Sequence, residues 1–178
     1  MDGKFFYPHR VPDRPYRVTV VCLGNICRSP LGEVVLRDRV QRAGLADAVL
    51  VDSAGTGDWH IGHDADPRAR ATAEAHDYAM DHRARQITAD WFDDIDLVLA
   101  MDARNYADLE RLIAQSGSEV ELRMLRSFDP SLKHLDEPHP DLEVPDPYYG
   151  GSDDFVEVLR MIEAASDGLV AELPHRIA

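Results

Sequence analysis

The sequence predicts an α/β fold, a single domain whose parallel sheet is covered by helices on both faces. Three observations carry this reading. Short β-branched, apolar runs alternate with stretches of helical periodicity, the pattern of a sheet built from crossover connections. No internal repeat or long linker divides the 178 residues, a length that suits one compact core. The segment joining the first strand to the first helix has the composition of an anion-binding loop.

Arg17-Val18-Thr19-Val20-Val21 is the first strand, nearly free of polar interruption and so suited to burial on both faces. Val49–Val51, Leu97–Met101 and Val120–Leu125 are the further strand candidates. The first helix is expected over Leu31–Ala43, with Leu31, Val34, Val35 and Val40 on one stripe and Gly44 closing it. Asp66 followed by Pro67 reads as an N-cap and first helical residue, opening a helix to about Tyr78. A third helix spans Ala103–Ser116 and stops at Gly117. The last runs from Asp154 to about Leu173, with Phe155, Val158, Leu159, Ile162 and Leu169 on its apolar stripe. Between the fourth strand and that helix, Phe128–Gly151 is irregular and rich in Pro, Asp and His. A loop of that length in a small domain is usually functional.

Charge and composition exclude several function classes. A formal net charge of −14 argues against nucleic acid or an anionic membrane as the main partner. It also requires that any phosphate be held by a local field. No run approaches the ~18 apolar residues of a membrane span, so no membrane insertion is expected. Residues 1–16, with Phe5-Phe6-Tyr7 and then Pro8, Pro12 and Pro15, read as a flexible leader and not as a signal peptide. The domain itself is then 17–178. Two cysteines make a poor disulfide framework, which points to a reducing cytoplasm. The histidines include His60, His63, His134 and His139, but no carboxylate or cysteine completes a metal set at suitable spacing. No cofactor is implied. Asp90, Asp93, Asp94 and Asp96 read as a solvated face.

The chemistry concentrates in Cys22-Leu23-Gly24-Asn25-Ile26-Cys27-Arg28-Ser29-Pro30. Ser29 as N-cap and Pro30 in the first helical position would open a helix directly after the loop. Its N-terminus would then turn unsatisfied N–H groups and a partial positive charge into the loop. The same field favours the thiolate of a cysteine held there. Arg28 adds a planar fork that grips two phosphate oxygens at once, which lysine cannot do. A cysteine and an arginine five residues apart can also be a coincidence of a buried thiol and a surface cation. The glycine, the asparagine and the Ser-Pro start argue for the demanding reading, since Asn25 tolerates the left-handed backbone a tight loop needs.

The whole string resembles the signature of the low-molecular-weight protein tyrosine phosphatases. Asp146-Pro147-Tyr148-Tyr149-Gly150 is similar to that family's acid loop. Ser53-Ala54-Gly55-Thr56 and His82-Arg83-Ala84-Arg85-Gln86 also read like family segments. The similarity runs from Arg17 to the last helix and implies a four-stranded parallel sheet with the active site at the strand C-termini. It further implies that Cys22 attacks phosphorus and that Arg28 and the N–H groups of Leu23 to Arg28 bind its oxygens. Ser29 would donate to the Cys22 sulfur, and Asn25, Ser53 and His82 would brace the loop. Asp146 would protonate the leaving phenolate and then activate water. Trp59, Tyr148 and Tyr149 would wall the slot for a phosphotyrosine ring, unless they serve only in packing. Lys133–Asp146 departs from the family by being unusually acidic and proline-rich, which leaves the resting place of Asp146 open.

The partner implied is a tyrosine-phosphorylated protein, with the chain acting as a monomer or weak dimer. Two alternatives stand beside this reading. A catalytically silent phosphotyrosine-binding module needs the cradle but not Asp146. An arsenate-reductase-like enzyme needs relay cysteines, and none follows Cys27. Cys27 is either a small buried hydrophobe or, as in related phosphatases with the same pair, a redox partner of Cys22.

Overall fold

The structure, a computed structural model, describes residues 14–178. Four strands, β1 (Tyr16–Cys22), β2 (Val49–Gly55), β3 (Leu97–Ala100) and β4 (Glu121–Met124), form one parallel sheet in the order β2-β1-β3-β4. The helices are α1 (Arg28–Arg42), α2 (Pro67–Ala75), α3 (Ala103–Ser116) and α4 (Ser152–Arg176). The α/β architecture with helices on both faces is the one expected.

Alternation along β1 and β3 divides the core in two, because successive side chains leave a strand on opposite faces. Val18, Val20, Leu97 and Leu99 pack with Leu31, Val35 and Leu36 of α1, Ala69 and Ala73 of α2, and Phe155, Leu159 and Ile162 of α4. Val21, Val98 and Ala100 face the other way, onto Leu109 of α3 and onto Phe92 and Ile95 around a 3₁₀ turn at Ala89–Asp94. β1, paired on both edges, is the spine of the molecule.

Several boundaries differ from the sequence reading, each for a physical reason. β2 continues past Val51 to Gly55 because its polar residues find partners. Asp52 accepts from Thr19 Oγ1 at 2.6 Å and from Arg17 Nη2 at 2.6 Å, and Ser53 enters a buried network described below. β1 begins at Tyr16, inside the expected leader. Arg14 Nη1 already pairs with Asp96 at 2.8 Å, and the rest of the leader lies outside the described residues. Asp96 is therefore no solvated bystander, since it also accepts from the Arg17 backbone N–H at 2.8 Å. α2 stops at Ala75, short of Tyr78, and Asp77 just beyond it takes a left-handed φ of 66°. α4 starts two residues early and runs through Pro174 to Arg176. The irregular stretch after β4 is held by 3₁₀ turns at Leu125–Phe128, Pro130–Leu132 and Pro140–Leu142 and buries Leu142 and Val144 completely. The backbone N–H of Val144 donates to Met101 O at 2.7 Å, which ties this stretch to the end of β3 beside Cys22.

Candidate active site

β1 ends at Cys22 and α1 begins at Arg28, so the loop between them lies at the C-terminal edge of the sheet. Cys22 is in register with Gly55 of β2. A Cβ at Gly55 would sit 2.8 Å from Leu23 O and 3.0 Å from Asn25 N, so only glycine lets the loop fold against that strand end. Four loop carbonyls are tied to segments outside the loop. Cys22 O accepts from Thr56 N at 2.9 Å, Leu23 O from Gly57 N at 2.9 Å and Ile26 O from Asp66 N at 2.8 Å. Asn25 O accepts from His82 Nε2 at 2.6 Å, which makes Nε2 the protonated ring nitrogen. Among the described residues, the backbone N–H groups from Gly24 to Cys27 make no such bonds. The loop therefore presents a row of unpaired donors at a helix N-terminus, a concavity suited to an oxyanion.

The loop's shape depends on Asn25, which is fully buried with a left-handed φ of 55°. Its amide is completely engaged. Nδ2 donates to Ser29 Oγ at 2.7 Å and to Ser53 Oγ at 3.0 Å, and Oδ1 accepts from Arg85 N at 2.8 Å. Ser53 in turn donates to Glu33 Oε2 at 2.9 Å. These bonds run in one direction. Because Asn25 donates to Ser29 Oγ, the serine proton is left for Cys22 Sγ at 3.0 Å or for Ala54 O at 3.3 Å. The expected capping role of Ser29 is thereby corrected. Its hydroxyl is committed to this network, and Cys27 occupies the N-cap with no side-chain cap bond.

Arg28 is 3% exposed and oriented by two acceptors on one nitrogen. Nη1 donates to Asp102 Oδ2 at 2.6 Å and to Val144 O at 3.0 Å, while Asp102 Oδ1 caps α3 by accepting from Asn105 N at 2.7 Å. Among the described residues, Nε and Nη2 make no hydrogen bond, and Asp146 Oδ2 stands 3.6 Å from Nη2. Burial alone would weaken the guanidinium's charge, but Cys22, Asp102 and Asp146 outweigh it and raise its affinity for the proton. Burial, and then the Asp66 and Cys22 charges, push the Cys27 thiol well up.

Above the loop lies a cavity of about 250 Å³. It is lined by Cys22, Leu23, Gly24, Ile26, Cys27 and Arg28 of the loop and by Trp59, His60, Asp146, Tyr148 and Tyr149. Trp59 is 65% exposed and Tyr149 95%, so neither ring belongs to the buried core. Tyr148 and Tyr149 meet edge to face with centroids 4.9 Å apart. Of the expected site residues, Cys22, Leu23, Gly24, Ile26, Cys27, Arg28, Trp59, Asp146, Tyr148 and Tyr149 line this cavity, and Asn25, Ser29, Ser53 and His82 form the hydrogen-bond network next to it. Asp146, whose resting place the sequence left open, has Oδ1 accepting from Tyr148 N at 3.1 Å. Sequence reasoning missed Glu33, Asp102 and His60. Glu33 stands one helical turn after Ser29, and Asp102 is the polar residue ending a central strand. Both positions are readable signals for a group that serves the loop. Among the described residues, no three His, Cys, Asp or Glu side chains gather into a metal-holding group.

Burial opposes the charge of Glu33, yet His82, whose Nδ1 lies 3.6 Å from Oε2, the bond from Ser53 and the nearby Arg37 hold its carboxyl below the ordinary carboxylate range. A depressed folded value means stabilisation that is complete above the unfolded value of about 4.3 and lost as pH falls through the folded one. Glu33→Gln should therefore lower stability at pH 7 by roughly 1–2 kcal/mol, and the deficit should shrink at pH 3.5. Urea midpoints at the two pH values measure this. A deficit independent of pH would mean that the carboxylate's charge is irrelevant to the network.

Comparison with known proteins extends the agreement beyond the loop. The family model for low molecular weight phosphotyrosine protein phosphatases matches residues 17–177. A low molecular weight protein-tyrosine-phosphatase of Streptomyces coelicolor is 50% identical over 162 residues, covering 91% of this chain and 96% of its own. Low molecular weight protein-tyrosine phosphatase A of Mycobacterium tuberculosis is 48% identical over 166 residues, covering 92% and 95%. The crystal structure of a protein tyrosine phosphatase from Entamoeba histolytica, with Hepes in its active site, superposes with a TM-score of 0.80. That match is at 33% identity and covers 90% of this chain and 98% of the other. With sheet, loop and acid segment all inside the matched region, the chain belongs to the low-molecular-weight phosphotyrosine protein phosphatase family.

Proposed function

We propose that this protein hydrolyses phosphotyrosine in proteins, and small aryl phosphates, through a cysteinyl-phosphate intermediate. One observation carries the reading: the Cys22 thiol, the Arg28 guanidinium and the Asp146 carboxylate all border a single cavity walled by aromatic rings. Cys22 Sγ attacks phosphorus as the P–O bond to the tyrosine breaks, and the leaving oxygen takes a proton from Asp146. The Asp146 carboxylate then accepts a proton from water as the water oxygen bonds to phosphorus and the S–P bond breaks, releasing phosphate and the Cys22 thiolate. Ser29, 3.0 Å from Sγ, is suited to donate to the departing thiolate. The Arg28 Nε–Nη2 edge and the loop N–H groups stabilise the equatorial oxygens, the charge-matching role that usually dominates such catalysis. Trp59, Tyr148 and Tyr149 on the cavity lining suit a flat aromatic ring.

A silent binding module has no use for a carboxylate beside the clamp, and an arsenate-reductase-like relay lacks its extra cysteines. Among the described residues, no helix is long and apolar enough to cross a membrane. Two free cysteines suit a reducing cytoplasm, which is part of the same proposal. So is the redox role of Cys27. Peroxide would oxidise the Cys22 thiolate to a sulfenic acid, and Cys27 would displace water from it to form a disulfide that a thiol reductant reopens.

Cys22→Ser should abolish turnover of an aryl phosphate with the fold intact by circular dichroism. Arg28→Lys should lose roughly 10²- to 10³-fold, the scale of removing a preorganised charge-stabilising donor. Near-normal rates in either variant would end this mechanism. Asp146→Ala should lose roughly 10²- to 10⁴-fold, and the loss should shrink as the leaving group becomes more acidic. A deficit that ignores leaving-group acidity would make Asp146 structural. After peroxide and then reductant, wild type should recover activity and Cys27→Ser should not. Equal recovery would leave Cys27 a packing residue.

A further inference from the structure

Asp146 lies two residues beyond Val144, where the stretch after β4 is tied to the end of β3, and nothing in the sheet holds the turn that follows it, yet it must stand over Cys22 to act. The geometry points to Arg68, on the first turn of α2, as the positioning residue for the acid loop, joining that loop to the phosphate loop through Asp66. This inference rests on the phosphatase reading for its catalytic consequence but not for its structural one.

Four of the five N–H groups of the Arg68 guanidinium are assigned by distance. Nη2 donates to Tyr148 O at 2.8 Å and to Asp66 Oδ2 at 2.9 Å, Nη1 donates to Gly150 O at 3.2 Å, and Nε to Asp66 Oδ1 at 3.1 Å. The two carbonyls belong to the turn that follows Asp146, so one planar group fixes both of its ends. The guanidinium also lies 5.6 Å from the Tyr148 ring centroid and 4.8 Å from that of Phe155, close enough for cation–π attraction to hold its plane. On the other side, Asp66 is rigid. Its carboxylate caps α2 by accepting from Arg68 N at 2.8 Å, and its own N–H donates to Ile26 O in the phosphate loop at 2.8 Å. A continuous path therefore runs from Ile26 through Asp66 and Arg68 to Tyr148 and Gly150. Within the acid loop, Tyr148 N–H holds Asp146 Oδ1 at 3.1 Å. Displacing the Tyr148 peptide would carry Asp146 with it.

Arg68 touches neither Cys22 nor the cavity floor, and its side chain is 41% exposed. Its replacement should therefore leave the fold and the phosphate cradle standing while loosening the acid. Lysine keeps the charge but cannot bond two carbonyls and both carboxylate oxygens at once.

The test uses Arg68→Met and Arg68→Lys in the full chain, each also combined with Asp146→Ala. With phenyl phosphate, whose leaving group has a pKa of about 10, kcat should fall on the order of tenfold in both single variants. An aryl phosphate with a strongly electron-withdrawn leaving group should lose less than about threefold, because protonation matters less to it. Inhibition by inorganic phosphate should be unchanged. In the Asp146→Ala background, Arg68→Met should add under about twofold, since residues acting as one unit are not additive. Equal losses across leaving groups, weakened phosphate inhibition or additive losses would overturn the assignment. Hydrogen–deuterium exchange decides the structural half even for a protein with no turnover. Peptides covering 144–151 should exchange faster in Arg68→Met while those covering 22–29 do not. Unchanged exchange over 144–151 would overturn the brace, whereas absent turnover by wild type with faster exchange there would refute the activity and leave the brace intact.

Discussion

The buried Asn25 amide is the interaction on which the site depends. A left-handed residue with a side chain is strained, and the structure holds it there with three side-chain bonds and a fourth to its carbonyl. Each bond has a consequence beyond Asn25 itself. The pair to Ser29 and Ser53 directs the serine proton toward the sulfur side, and the acceptor from Arg85 pins the segment that follows α2. The bond from His82 turns a loop carbonyl away from the cavity. Leaving any of these buried partners unpaired costs about 1–3 kcal/mol, so the loop is held by a set of bonds that fail together.

Arg28 is organised on the same logic with different partners. A flexible, buried cation in a site for a dianion would be costly to hold in place and slow to respond. Asp102 and Val144 O take the whole of Nη1, which leaves one edge aligned and ready. Both partners do a second job. Asp102 caps α3, and Val144 is anchored on Met101 at the end of β3. The clamp is thus referenced to the central strands, and the acid loop departs from the residue that helps hold the clamp. Arg126 adds to this by donating to Asp141 O and Glu143 O, each at 2.9 Å.

The sheet was legible because β1 and β3 are buried on both faces and show it as unbroken apolar runs. α3 was legible over Ala103–Ser116, where the left-handed Gly117 closes it; its cap, Asp102, came only with the structure. β2 was cut short because Asp52 and Ser53 look like turn residues until Thr19, Arg17 and Glu33 are brought beside them. Those partners are distant in sequence. The Ser29 cap failed for a related reason, since local propensity was overridden by a bond to a residue seven positions earlier. The loop's chemistry was readable because its residues are contiguous. Arg68 was not, because it acts through contacts that only the fold creates, and Glu33 and Asp102 stand at suggestive positions whose partners only the fold brings to them.

The overall acidity of the chain looks at odds with a phosphate site, and distance resolves it. At physiological ionic strength, exposed charges are screened over about 8 Å, so most of the −14 is felt weakly inside the cavity. The loop N–H groups and the Arg28 edge act at hydrogen-bond range and are shielded from solvent, where their effect is strongest. The nearby carboxylates, Asp102 and Asp66, are each neutralised by a bonded arginine. Asp146 is different, since it is 3.6 Å from Arg28 and 43% exposed, so its hold on the clamp is loose. In the proposed mechanism this looseness matters, because Asp146 would leave the clamp to an incoming phosphate and still stay beside the leaving oxygen, held by a loop whose position is set elsewhere.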